Sequence, residues 1–334
     1  MALSKITSSS ITDNAIHGRR NLIINGAMQV SQRGTSVSSI TSSGYKTVDR
    51  WKTNASGATY SQSQESVTVG GETGLPVQFT KFLKHNVTTG NDNTAIYQYV
   101  EDVTSIPSGN VTISFYTKGT TPDGGLKVRF WQNFGSGGST ELELTSEIQS
   151  FTLTSTWQRF TATITIPSIS GKTVGTSSYF IIALGQGSST STDAWVLDVT
   201  GIQLEVGEQA TPFEHRSFGE ELALCQRYYQ IIPKYTFFTG AVEVGTSSLR
   251  AGVPLARTLR ASPTIGNITL AIYDDDDTAF NNAAHAIFLN SGSPEVDGTT
   301  GYLSVIFNGN LSGRTDNHNV TALYGSNGTL DSEL

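Results

Sequence analysis

Residues 201–232 read GIQLEVGEQATPFEHRSFGEELALCQRYYQII, and they divide a chain of short strand patterns into two parts. The stretch opens as a strand, with Ile202, Leu204 and Val206 alternating against Gln203 and Glu205. Gly207-Glu208-Gln209-Ala210 is a polar turn, and Thr211, preceding Pro212, is biased away from helical backbone. Ser217-Phe218-Gly219-Glu220 has the form of a capping box, in which Ser217 accepts from an orphan N–H and Glu220 reaches back to the Ser217 amide. Phe218, Leu222, Cys225, Tyr229 and Ile232 then fall at spacings of four, three, four and three, which predicts a helix with a coiled-coil-like seam of Leu222, Cys225, Tyr229 and Ile232. Leu224, Tyr228 and Ile231 make a second apolar row, and Pro233 stops the pattern. A helix of ~15 residues is marginal alone in water. This one therefore packs either on its own domain or at the axis of an oligomer.

On both sides the pattern is β. Val111–Lys118 alternates well, and Leu126–Trp131, Gln158–Ile166, Tyr179–Leu184 and Ala194–Val199 continue a series separated by turns such as Pro122-Asp123-Gly124-Gly125. No fixed repeat period is visible, which favours a sandwich over a β-helix. The expected organisation is mainly β: a polar arm at 1–20, a β-sandwich at 21–215, a linking helix at 216–233 and a C-terminal β-domain at 234–334. The arm is Ser/Thr-rich and too polar to fold alone.

Composition excludes several functions. Of 334 residues 15% are charged, and the net charge of −7 comes without a Lys/Arg cluster to track a phosphate backbone, so no nucleic acid is expected. No apolar run approaches the ~20 residues that span a bilayer, so no membrane insertion is expected. The first residues lack a signal-peptide core, which predicts synthesis in a cytoplasm. Cys225, the single cysteine, reads as a small buried hydrophobe.

Three phrases carry a resemblance. LEVGEQATPFEHRSFGEELALCQRYY, the early NLIINGAMQVSQRG with Tyr45 and Val48-Asp49-Arg50-Trp51, and the late Leu259-Arg260-Ala261-Ser262-Pro263-Thr264 are similar to segments of bacteriophage tail-fibre and other virion structural proteins. The resemblance implies a virion protein, a homotrimer, attachment through the N-terminus to other tail or baseplate proteins, and contact with a host-surface polysaccharide. The bounds of the first β-region, Asn21–Gly26 and Trp195–Val199, look like the first and last strands of a jelly-roll carbohydrate-binding module. That resemblance implies a structural calcium near Asp198 and Asn25, whose hard oxygens suit the ion. The acidic residues expected around the first turn are absent.

Sugar sites stack an aromatic face on a pyranose ring and add amide or carboxylate hydrogen bonds. Trp131, Trp157 and Tyr116 are candidates by type, with Gln132 and Asn133 as polar partners, although such aromatics also build sandwich cores. In the C-terminal region Asp275 and Asp276, within Asp274–Asp277, and His318 sit in turn-rich surroundings that suit polar contact with sugars; a solvated loop is the plainer reading of the acidic run. There is no G-x-S-x-G, H-E-x-x-H, P-loop or Cys/His zinc pattern, and no carboxylate pair is nominated by spacing. The expectation is a binding protein rather than an enzyme. A virion connector without a receptor role is the second reading, and a glycan depolymerase the third.

Overall fold

The computed structural model describes residues 19–334 except 56, 69, 91–93, 187–192, 235, 243–247, 267–268, 274–286, 291–301, 309–319 and 324–326. The arm up to residue 18, Asp275, Asp276 and His318 lie outside the described residues. The chain divides into two compact units, one ending at Glu221 and the other beginning at Leu222.

The first unit is a jelly-roll-like sandwich. Its strands are β1 (Ser36–Ile40), β2 (Gly44–Tyr45), β3 (Lys52–Asn54), β4 (Thr59–Ser66), β5 (Lys81–Thr89), β6 (Ala95–Glu101), β7 (Gly109–Gly119), β8 (Leu126–Asn133), β9 (Leu142–Glu143), β10 (Gln149–Phe151), β11 (Gln158–Ile166), β12 (Tyr179–Gln186) and β13 (Trp195–Val206). One sheet has the order β1-β4-β5-β13-β7-β11, the other β10-β8-β12-β6-β3-β2 with β9 beside β8. From β5 to β8 the chain changes sheet at every strand, which interleaves the two layers. Alternation fills the space between them: Val111, Ile113 and Phe115 of β7 face Leu126, Val128 and Phe130 of β8 and Phe180, Ile182 and Leu184 of β12 in one core.

Residues 21–26 run along β13 without being a regular strand. The Leu22 amide donates to Leu204 O (3.0 Å), Ile202 N donates to Gly26 O (3.0 Å), and the Asn21 side-chain oxygen accepts from Leu204 N (3.1 Å). A Cβ on Gly26 would lie 2.1 Å from the Ile202 oxygen, so only glycine permits that approach. Ile24 is paired by a side chain, since Gln98 accepts from its amide and donates to its oxygen, both at 2.8 Å. Asn25 is left-handed at φ 57°, a conformation asparagine tolerates. Its amide nitrogen donates to Val30 O and Asp49 O (2.8 and 2.9 Å), its side-chain oxygen accepts from Val30 N (3.0 Å), and Trp51 Nε1 donates to its carbonyl (3.2 Å).

A clasp from the far end of the unit closes on this segment. Glu221 accepts from Asn25 N (2.5 Å), and Glu214 accepts from Asn21 N (2.8 Å). Arg216 donates to Ile23 O (2.9 Å) and to Asn21 O, and lies 3.4 Å from Glu221 and 3.5 Å from Glu214. The Arg216 and Glu221 side chains are both nearly buried, so each charge depends on its partners.

The capping box forms: Ser217 N donates to Glu220 (2.9 Å) and Glu220 N to Ser217 Oγ (3.3 Å). The helix it starts, α1 (Phe218–Cys225), is shorter than the spacing predicts. Tyr229–Ile232 is instead a strand, β14, so Leu222, Cys225, Tyr229 and Ile232 form no single helical seam, and the expected helix over 216–233 is corrected. The cause is tertiary. β14 pairs with β22 (Gly328–Asp331), and the run Tyr228–Ile232 of aromatic and branched residues suits a pleated surface. With eight residues the helix falls short of the two heptads a seam requires, so no such seam supports an oligomer axis.

The second unit has β14–β22–β17 as one sheet, with β17 at Thr264–Gly266. The other sheet takes the order β19-β18-β21-β15-β16-β20, from β15 (Phe237–Val242), β16 (Ser248–Pro254), β18 (Thr269–Tyr273), β19 (Ile287–Asn290), β20 (Tyr302–Asn308) and β21 (Val320–Leu323). The late phrase beginning at Leu259 is structural here: Leu259 is buried, Arg260 N donates to Arg227 O (2.9 Å), and Arg260 Nε donates to Ser332 O (3.0 Å).

Two predictions follow from the first unit. Arg216→Ala leaves Glu221 and two backbone carbonyls, of Asn21 and Ile23, without their partner, and lowers stability by about 3 kcal/mol in urea unfolding. The second concerns His85, fully buried in the core between Tyr60 and Trp195 at ring distances of 5.0 and 5.4 Å, with neither ring nitrogen hydrogen-bonded. Burial pushes its pKa down to about 3. Between that value and the unfolded value of about 6.5 the unfolded chain binds a proton that the native state refuses. Stability therefore rises with pH across this window by up to about 1.4 kcal/mol per unit and is flat above it. Asp198, pushed up to about 6 by burial, gives the opposite slope between about 4 and 6. The His85 contribution is thus read as the difference between wild type and His85→Leu, whose stability loses this rise.

Candidate functional site: the outer face of the second sheet

The two outer faces of the sandwich differ. That of the first sheet is largely sealed by the chain itself. Val67, Leu75 and Phe79, from the segment between β4 and β5, pack with Phe82 and Trp157, and Tyr116 and Phe213 join them. Glu72 fastens this cover: it accepts from Lys118 (2.6 Å) and from Trp157 Nε1 (2.7 Å), and the bond from Lys118 holds its carboxyl below the usual range. Trp157 and Tyr116, both candidates by type, are thus packing residues. His215 also belongs here, 5.2 Å from the Phe79 ring and 4.8 Å from Phe213.

The outer face of the second sheet carries a separate aromatic cluster. β12 reads YFIIALGQ, apolar on both of its faces, so Ile181 and Ala183 need cover outside as Phe180, Ile182 and Leu184 do inside. β6 supplies Tyr97 and Tyr99, β8 supplies Trp131, and β12 supplies Tyr179. Registry brings them together: Ile181 lies between Tyr99 on one side and Trp131 on the other, and Ala183 between Tyr97 and Arg129. The rings form a continuous series, Tyr179 to Tyr99 at 4.9 Å, Tyr99 to Tyr97 at 6.5 Å and Tyr97 to Trp131 at 6.0 Å. Each such pair adds about 0.5–1.5 kcal/mol beyond area burial. Tyr99 and Tyr179 are half-buried, whereas Trp131 is 8% exposed.

Polar groups rim the cluster. Asn133 donates to Glu141 (2.6 Å), and Arg129 donates to Glu143 through Nε (2.9 Å) and Nη2 (2.5 Å). Lys52 Nζ stands 4.7 Å from the Tyr99 ring centre. The Tyr99 and Tyr179 hydroxyls titrate above the usual tyrosine range, first because they are buried and then because charged or ionisable neighbours, Glu141 among them, oppose a phenolate. Both therefore remain O–H donors at physiological pH.

Trp131 and Asn133 thus belong to the face, but Gln132 does not. Alternation turns Gln132 inward, where it is buried and donates to Pro167 O (3.1 Å). Tyr97, Tyr99 and Tyr179 were missed in the sequence reading. The available signals were two tyrosines at i, i+2 in β6 and a strand apolar on both faces. The two positions implied for calcium have separate surroundings. Asn25 spends its side chain on Val30 and Asp49, while Asp198 lies opposite Lys84 and Lys118 on the flanking strands. Among the described residues no group of three His, Cys, Asp or Glu side chains gathers as a metal site. No helix among them is long and apolar enough to cross a membrane.

No protein-family model matches the chain, and no curated protein matches it. Solved structures with some likeness include carbohydrate-binding modules and a phage tailspike domain. The tandem CBM22-1-CBM22-2 domain of Paenibacillus barcinonensis Xyn10C is 12% identical, with 91% of this chain and 98% of that chain covered and a TM-score of 0.30. The N-terminal cellulose-binding domain of Cellulomonas fimi beta-1,4-glucanase C is 17% identical, covering 45% of this chain and 90% of that one at a TM-score of 0.27. The enzymatically active domain of bacteriophage CBA120 tailspike protein 4 is 11% identical, covering 55% of this chain and 21% of that one at a TM-score of 0.31. The chemistry of the aromatic face rests on the residues of this chain.

Proposed function

We propose that this chain is a bacteriophage tail-fibre protein that attaches to the tail through its N-terminal arm and binds a host-surface glycan on the outer face of its second sheet. The observation that carries the glycan reading is the aromatic series Tyr179–Tyr99–Tyr97–Trp131 with amide and carboxylate groups at its rim. Tyr99 and Trp131 stand two strands apart, about 10 Å by interstrand spacing. Alternate rings of a linear glycan are separated by a comparable length, so a chain lying across the strands would meet both. The resemblance carried by Asn21–Gly34, Leu204–Tyr229 and Leu259–Thr264 supports the virion assignment. Glu141 and Glu143 are each tied to a neighbour, which favours binding over cleavage. A connector without receptor contact is the second reading, favoured by the low exposure of Trp131.

The test uses the full chain in affinity electrophoresis against a neutral soluble β-glucan, a soluble xylan and a uronic-acid-containing exopolysaccharide. One of these retards the protein, and Tyr99→Ala or Tyr179→Ala weakens retardation about tenfold, the loss expected for one stacking ring. The melting temperature reports whether each variant is folded. Unchanged retardation in both folded variants, or none in wild type, favours the connector.

A further inference from the structure

Trp131, the one tryptophan on the proposed binding face, is covered by a residue of its own strand. The Arg129 guanidinium carbon lies 4.7 Å from the centre of the Trp131 ring. Arg129 and Trp131 are two residues apart on β8 and therefore share a face. Glu143, on β9, stands directly opposite Trp131 and reaches along the strand to Arg129, taking both Nε and Nη2 on one carboxylate oxygen. The Arg129 side chain is 15% exposed and that of Glu143 28%, so the pair is more open to solvent than the ring beneath it.

We infer that the Arg129–Glu143 pair is a displaceable cover that determines whether Trp131 can stack on a sugar. The inference rests on the glycan reading. A guanidinium plane and a pyranose ring use an indole face in the same way, flat and at van der Waals distance, so the two compete for one surface. The cover is displaceable because both of its side chains reach solvent at the rim, where sugar hydroxyls and water can take over the hydrogen bonds the pair makes with itself. Glu143 acts at one remove: it holds Arg129 in place and is a positioning residue. Affinity at this face is accordingly set by Arg129 as well as by the rings, and the cover keeps a large indole from presenting an apolar surface while no glycan is bound.

The experiment compares wild type, Arg129→Ala, Glu143→Gln and each of these in a Trp131→Phe background, in the intact chain and with melting temperatures as a check on folding. Acrylamide quenching of tryptophan fluorescence needs no ligand; it should rise in Arg129→Ala and Glu143→Gln and should not rise when Trp131 is phenylalanine. Affinity for the soluble polysaccharides named above should increase about fivefold to tenfold in Arg129→Ala, and this gain should vanish with Trp131→Phe. Unchanged quenching in folded Arg129→Ala, or weaker polysaccharide binding, overturns the cover and makes Arg129 a direct sugar contact or a packing residue. Binding that Tyr99→Ala abolishes but Arg129→Ala leaves unaltered overturns the cover alone. No binding by any form overturns the glycan reading and the cover with it.

Discussion

The first unit depends on the contact between Arg216, Glu214 and Glu221 and the main chain of Asn21–Asn25. Residues 21–25 have polar groups to satisfy and only the edge of β13 beside them, without the second neighbour that a regular strand would have. Charged side chains from the other end of the unit serve Asn21, the Ile23 carbonyl and the Asn25 amide, while Gln98 serves Ile24. Their ionic form strengthens each bond, and their burial makes each one dependent on the rest. Asn25 extends the arrangement inward, since its side chain fixes Val30 and Asp49 while its carbonyl holds Trp51. Thus the start of the unit, the end of β13 and the Val48–Trp51 phrase are parts of one polar assembly.

This gives the conspicuous sequence phrases a physical meaning. Asn21-Leu22-Ile23-Ile24-Asn25-Gly26 and Glu214-His215-Arg216 are partners, and so are Arg227–Tyr228 and the late Arg260 within the second unit, where Ser332 joins them. They are structural ties. The face proposed for binding uses β6, β8 and β12, none of which carries one of the three phrases that resemble virion proteins. Structure is concentrated where the wording is specific, and the surface best suited to a ligand is written in ordinary strand residues.

Local features are legible in the sequence: the strand over Ile202–Val206, the capping box and the mainly β character. The helix is shorter than its pattern because spacings of three and four through Leu222, Cys225, Tyr229 and Ile232 cannot reveal that Gly328–Asp331, about a hundred residues later, will pair with Tyr229–Ile232. Trp131 was a candidate by type, and alternation alone would have separated it from Gln132. Its neighbours Tyr97, Tyr99 and Tyr179 come from other strands, and only the registry of β6, β12 and β8 brings them to one place. Trp157 was indistinguishable from Trp131 by type, yet its indole N–H is fixed on Glu72 in a cover that closes the opposite face.

Amide hydrogen exchange at Ile23, Ile24 and Asn25 tests the clasp most directly. Their N–H groups donate to side chains, Asn21, Gln98 and Glu221 respectively, rather than to a β ladder. If the clasp is integral to the unit, these amides exchange as slowly as those of Ile113 and Ile182 in the central strands, through the same global opening. Exchange at loop-like rates, with the central strands still protected, would show that residues 21–25 open independently and would contradict the dependence placed on Arg216, Glu214 and Glu221.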